Sequence, residues 1–151
     1  MFERTRSAIP IHPFRRVFLA FPFRPQALEI VESVLRPEIE SRGMACVTLR
    51  NEPSASLIDS ILATVSTCDG VIGLLTESNP NVLFELGVAC GVGLPAILIS
   101  DDPSFAAMLK DSHPVVPITS GPLAIDRLVT AMELAALRHS QSSNVKAVSR
   151  R

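Results

Sequence analysis

Apolar positions along the chain form two kinds of run, and their alternation predicts the architecture. Short blocks with little polar interruption, Val17 to Phe21, Met44 to Leu49, Gly70 to Thr76 and Ala96 to Ile99, read as strands buried on both faces. Between them the period changes. Leu28, Val31, Val34 and Leu35 recur at helical spacing, with Glu29, Glu32, Glu38 and Glu40 on the wet side. Leu57, Ile58, Ile61, Leu62 and Val65 repeat the pattern as the buried positions of a second helix, capped by Ser54 or Ser56. Asn79 to Gly93 supplies a third helix.

Breakers punctuate this series. Pro22 closes the first strand because it cannot donate to a ladder, Pro37 interrupts or bends the first helix near its end, and Gly43 stops it. Past Asp101-Asp102-Pro103, Phe105 to Leu109 suits one or two helical turns. Val115 to Ile118 suits an edge strand that tolerates Pro117, and a last helix starts at Gly121-Pro122. Residues 1–14 read as a loose arm, 15–139 as a single domain and 140–151 as a polar, basic tail.

Strands alternating with helices imply a parallel sheet covered on both faces, a three-layer αβα domain. The expected fold is flavodoxin-like α/β: five parallel strands in the order 2-1-3-4-5, with the switch point between strands one and three. Ligands of such sheets bind outside the carboxyl ends of the strands at that point. There the sequence places Phe21 to Arg24, Arg50 to Pro53 and Thr76 to Glu85.

Composition narrows the function classes. At 151 residues, 47% hydrophobic and 19% charged, the chain suits one globular domain. A formal net charge of -1 argues against nucleic-acid binding, and no apolar run approaches the roughly 20 residues of a membrane span. Cys46, Cys68 and Cys90, odd in number and widely spaced, fit reduced core cysteines of a cytoplasmic protein, in a chain whose N-terminus lacks an apolar leader core. The three histidines have no metal-ligand spacing, and no Gly-rich phosphate loop is present, so no metal or cofactor is expected.

Glu85 is the candidate catalytic residue. Asn79 or Asn81 can cap its helix with Pro80 at the first position, which puts the carboxylate near the first turn. The helix terminus there favours ionisation by roughly 0.3–1 kcal/mol. An ionised glutamate at a switch point can attack an anomeric carbon or stabilise an oxocarbenium-like centre. The plain structural reading is that acids are good residues at helix starts. Gly87, Ala89, Cys90, Gly91 and Gly93 make the helix slim, suiting close packing on the sheet or approach by a ligand or second subunit. Arg24 and Arg50 offer charged donors to a phosphate or ribose, and Asn51 and Thr76 offer hydrogen bonds to a sugar; each is equally an ordinary surface residue. Phe21, Pro22, Asn79 and Asn81 complete the expected ligand-binding set. Asp69, at the opposite rim, reads as a turn residue.

The segment Asn79-Pro80-Asn81-Val82-Leu83-Phe84-Glu85-Leu86-Gly87-Val88-Ala89, followed by Gly93 to Ile99, resembles the central motif of nucleoside 2-deoxyribosyltransferase-like proteins and their TIR-like nucleotide-binding relatives. Val17 to Phe23 is similar to their opening strand and proline turn, and Asp69-Gly70-Val71-Ile72 to their strand-three entry. The resemblance spans roughly residues 16–100. It implies a nucleoside or nucleotide ligand, N-glycosidic cleavage or transfer, and a nucleophilic role for Glu85. It also implies association into a homo-oligomer. The chain departs from the family pattern by having Asn79-Pro80-Asn81 in place of an acidic residue with a Gly-Thr pair. It has no Tyr at all, Phe18 standing in the comparable strand. Those departures motivate an alternative: a non-catalytic nucleotide-sensing or protein-interaction module on the same fold.

Overall fold

The computed structural model describes residues 15–49, 56–76, 79–100, 102, 104 and 115–117, with scattered positions (130, 133, 134, 137 and 138) of the last segment. Strands β1 (Arg16–Ala20), β2 (Ala45–Thr48), β3 (Gly70–Leu75) and β4 (Ala96–Ser100) form a parallel sheet in the order β2-β1-β3-β4. A three-residue strand, β5 (Val115–Pro117), pairs parallel with β4 at the far edge. Phe18 lies opposite Val71, and Ala20 opposite Gly73, across the β1–β3 pair. The sheet order reverses at that pair, where the sequence places the switch point.

Alternation along the strands sorts the core into two layers. Val17, Leu19, Ile72, Leu74, Ile97 and Ile99 face one way, against Ala27, Val31, Leu35 and Ile39. Phe18, Val71, Leu75, Ala96 and Leu98 face the other, against Ile61, Val65, Val82, Leu86 and Ala89. A side-chain period of two makes this division unavoidable once both faces are covered.

The first helical stretch departs from the expected phase. It runs as α1 (Pro25–Ile30), a π-helical turn (Val31–Leu35) and α2 (Arg36–Ser41). Its buried residues, Ala27, Val31, Leu35 and Ile39, recur every four positions, so Leu28 and Val34, expected inside, are exposed. A spacing of four exceeds the 3.6 of an α-helix, and the wider π turn absorbs the difference. Pro37 is accommodated just beyond it, in the first turn of α2. Glu32, Glu38 and Glu40 hold the wet side through ion pairs with Arg36 and Arg42.

Helix α3 (Leu57–Val65) also buries less than expected. Ile61 and Val65 are inside, while Leu57, Ile58 and Leu62 are exposed, because α3 presents only a narrow stripe to the sheet beside α4. Ser56 is its cap: the hydroxyl accepts from the Asp59 backbone N–H at 3.1 Å and donates to the Asp59 carboxylate at 2.6 Å.

Helix α4 (Pro80–Gly91) ends before Gly93, whose φ of +92° lets the chain turn into β4. Of the cysteines, all free, only Cys68 is fully buried; Cys46 and Cys90 are half-buried. At the sheet's amino-terminal rim the Asp69 carboxylate accepts from the backbone N–H groups of Arg15 and Arg16 at 2.8 and 2.9 Å, a structural tie as its turn position suggested. The expected turns at residues 105–109, the whole arm and tail, and most of the last helix lie outside the described residues.

Candidate functional site

The carboxyl ends of β1 and β2 and the start of α4 enclose a pocket of about 260 Å³, lined by Phe21, Pro22, Phe23, Arg24, Leu49, Leu57, Asn79, Asn81 and Glu85. Each wall has a local cause. Pro22 ends the ladder, and the Arg24 backbone N–H turns back onto the Pro22 carbonyl at 2.8 Å. That tight turn carries Phe23 out to 66% exposure while Phe21 stays buried. The two rings remain in contact, centroids 5.4 Å apart and tilted by 46°. Leu57 reaches the pocket as the first residue of α3, just past the Ser56 cap.

Asn79 fixes the start of α4. Its side-chain oxygen accepts from the backbone N–H groups of Asn81 at 3.0 Å and Val82 at 3.4 Å, and Pro80 occupies the first helical position. With both bonds made to the oxygen, the amide NH₂ of Asn79 is the end left to face a ligand. The depth of α4 is set by Gly73. A Cβ there would stand 2.6 Å from one methyl of Leu86 and 2.8 Å from the other, so the glycine lets Leu86 seat against β3. By contrast Gly87 and Gly91 have open space around them. The close approach of helix to sheet is therefore made by a strand glycine, and the helix glycines do not make it.

Glu85 is the sixth residue of α4, in its second turn, and the first turn carries no acid. This sets it one turn further in than the expected first-turn position, where the terminal potential has already fallen off. Burial decides its state instead. Glu85 is only 6% exposed and makes no hydrogen bond or ion pair with the described residues. Desolvation pushes its pKa up from 4.5 to about 7, so the group is close to half-ionised at neutral pH. The ionised carboxylate expected from the sequence is thus, in the empty pocket, a group poised between two states.

The expected site residues divide by position. Phe21, Pro22, Arg24, Asn79, Asn81 and Glu85 are brought together in one pocket. Thr76, half-buried after β3, does not line it. Arg50 and Asn51 lie outside the described residues. Leu49 and Leu57 line the pocket without having been singled out, and Phe23 was placed there only as part of the turn Phe21 to Arg24. Phe23 carried a signal, an exposed-turn aromatic between two prolines in a chain poor in aromatics; the two leucines looked like core. Phe18 is fully buried under α3 and α4 and does not line the pocket.

Among the described residues no group of three or more His, Cys, Asp or Glu is placed to hold a metal ion. No helix among them is long and apolar enough to cross a membrane.

No family model matches the chain, and no curated protein matches it. Solved structures do. A CMP N-glycosidase of Clostridium botulinum superposes with a TM-score of 0.58 at 21% identity, over 77% of this chain and 99% of that one. A 2-deoxyribosyltransferase from the psychrotolerant bacterium Bacillus psychrosaccharolyticus gives 0.54 at 18%, over 70% and 86%. A response regulator receiver protein from Sinorhizobium medicae gives 0.55 at 14%, over 83% and 96%. At these identities the likeness is one of fold: flavodoxin-like α/β, of the kind a nucleoside 2-deoxyribosyltransferase has.

Proposed function

We propose that this protein binds a nucleoside or nucleotide in the Glu85 pocket and breaks or transfers its N-glycosidic bond. The observation that carries the reading is Glu85 itself, a buried carboxyl without a partner among the described residues, lining a pocket at the switch point of the sheet. Such a group is expensive to keep unless it has work to do, and perturbed carboxyls in clefts are candidates for chemistry. Two of the structural neighbours act on nucleotides or nucleosides, which supports the same class of ligand.

In this reading Glu85 attacks C1′ of the sugar, or stabilises the oxocarbenium-like centre, as its electron-rich oxygen develops a bond there. Phe23, exposed and leaning on Phe21, offers a face on which a base can stack. Arg24, at the exposed rim, and Arg50 hold a phosphate or ribose hydroxyls. Asn51, Asn79 and Asn81 supply hydrogen bonds to the sugar, while Thr76, off the pocket lining, has no part in holding it. A volume of about 260 Å³ lies just below the roughly 300–1,000 Å³ of typical ligand pockets, which favours a mononucleoside or mononucleotide over a dinucleotide such as NAD.

Incubation with deoxynucleosides, nucleoside monophosphates and NAD, following free base by chromatography, tests the proposal. Glu85→Gln and Glu85→Ala are expected to lose about 10³-fold or more of the activity. Equal product from wild type and both variants would exclude the catalytic role.

A second reading, a protein-interaction module on the same fold, has its own observation. Ile58 and Leu62 on α3 and Leu83 and Phe84 on α4 are exposed apolar side chains. If that surface joins copies into a homo-oligomer, Phe84→Glu shifts the wild-type sedimentation coefficient to that of a monomer; an unchanged value for both dismisses it.

A further inference from the structure

The helical stretch from Pro25 to Ser41 has two apolar stripes available to it, and the fold uses one. Ala27, Val31, Leu35 and Ile39 are buried, while Leu28, one residue along from Ala27, is 46% exposed. An uninterrupted α-helix would bring Leu28, Val31, Leu35 and Ile39 onto one face instead. Burying a leucine in place of an alanine favours that second register. The π turn at Val31–Leu35, closed by the Arg36 backbone N–H donating to the Val31 carbonyl, stands against it.

Pro37 keeps the π turn from relaxing. In a continuous α-helix residue 37 would donate to the Ser33 carbonyl; proline has no N–H to give, and its ring collides with that carbonyl. A proline here could equally end or kink the helix. Packing on the sheet makes the turn widen instead, which leaves Pro37 in the first turn of α2, where proline is tolerated. Two terms of similar size therefore oppose each other: the leucine that an α register buries and the proline that it places in mid-helix.

The register reaches the pocket. The later half of the stretch is held, because Ile39 is buried and the Arg36 guanidinium donates to the Cys46 carbonyl of β2 at 3.3 Å. A change of register is taken up by Pro25–Ile30, which turns by about 100° for one residue. That half is continuous with the pocket turn: the Leu28 backbone N–H donates to the Arg24 carbonyl at 2.9 Å, and the Arg24 N–H to the Pro22 carbonyl at 2.8 Å. Phe23 and Arg24, both exposed, line the pocket from that turn.

We infer that Pro37 is a positioning residue: by holding the π turn it keeps Ala27 rather than Leu28 in the core, and so sets where Phe23 and Arg24 stand at the pocket. The inference concerns the shape of the pocket and holds whatever ligand occupies it.

The chain contains no Trp, so Phe23→Trp places a single fluorophore in the pocket wall. In that background Pro37→Ala is expected to shift the emission maximum and the iodide quenching constant. Leu28→Ser should leave the urea midpoint almost unchanged while Pro37 is present, and lower it by roughly 1 M once Pro37→Ala has brought Leu28 inside. Deleting the exposed Ser33 from the Pro37→Ala chain removes the extra residue of the π turn. Ala27 then returns to the buried stripe with ordinary α-helical spacing, and the emission should return with it. A proline that served stability alone would give no such return. Unchanged emission and quenching in Pro37→Ala, or the same effect of Leu28→Ser with and without Pro37, overturns the inference. So does a shift, or a loss of folding, in Pro37→Ala that the Ser33 deletion does not reverse.

Discussion

Glu85 shows how one residue changes meaning when its surroundings are known. Its pKa of about 7 against an ordinary 4.5 makes folding itself a titration. Between those two values the unfolded chain has lost the proton while the folded chain keeps it. Stability is therefore fullest below pH 4.5, falls by about 1.4 kcal/mol per unit as the pH rises, and levels off above pH 7. Glu85→Gln cannot ionise and escapes the loss. Urea denaturation is expected to find the variant close to wild type at pH 4 and up to about 3 kcal/mol more stable at pH 8. A gap of the same size at both values would mean that burial does not perturb the carboxyl. Under the proposed function activity runs the opposite way, since a nucleophilic Glu85 must be ionised. The rate constant kcat/KM for wild type should climb to a plateau above about pH 7.

At the scale of elements, the site depends on how α4 is seated. Its start is fixed by the Asn79 side chain and its depth by the contact of Leu86 with Gly73. Asn79→Ala removes the cap and should cost about 1 kcal/mol in denaturation experiments, while Asn79→Asp keeps it. Gly73→Ala drives a methyl into Leu86 and should cost about 1–3 kcal/mol while shifting the helix that carries Glu85. Restoring room with Leu86→Val in the same chain should recover ligand binding more than it recovers stability. Failure of Gly73→Ala to alter either would show that the helix can yield without consequence. Asn79 and Pro80 were readable as a helix start from their residue types, because capping is a local interaction. The phase of the first helical stretch was not: an α-helical period selects Leu28 and Val34, whereas the π turn moves the buried stripe to Ala27, Val31, Leu35 and Ile39. Nothing in the local pattern shows that a turn will widen, because the widening answers to the sheet it packs on.

Across the whole molecule, the two-layer core divides structural from chemical work. Phe18 illustrates the division. It stands on the strand where the resembled enzymes have a Tyr, yet here it is fully buried beneath α3 and α4 and does not line the pocket. Restoring a hydroxyl by Phe18→Tyr should therefore add no activity. It should destabilise the domain by about 1–3 kcal/mol, because the group is buried without a partner. A gain in turnover would instead place Phe18 in the chemistry.

The sequence by itself determined the strand–helix alternation, the sheet order β2-β1-β3-β4 and the strand-to-helix turn at Asn79. These follow from side-chain periodicity, proline and capping, all of which act over a few residues. Tertiary structure alone decided that Glu85 is buried and unpaired among the described residues, that Phe23 is offered to solvent beside Phe21, and that Leu57 serves the pocket rather than the core. Desolvation is a property of what surrounds a group. The surroundings of Glu85 come from segments near residues 21, 49 and 57, which only the folded sheet brings together.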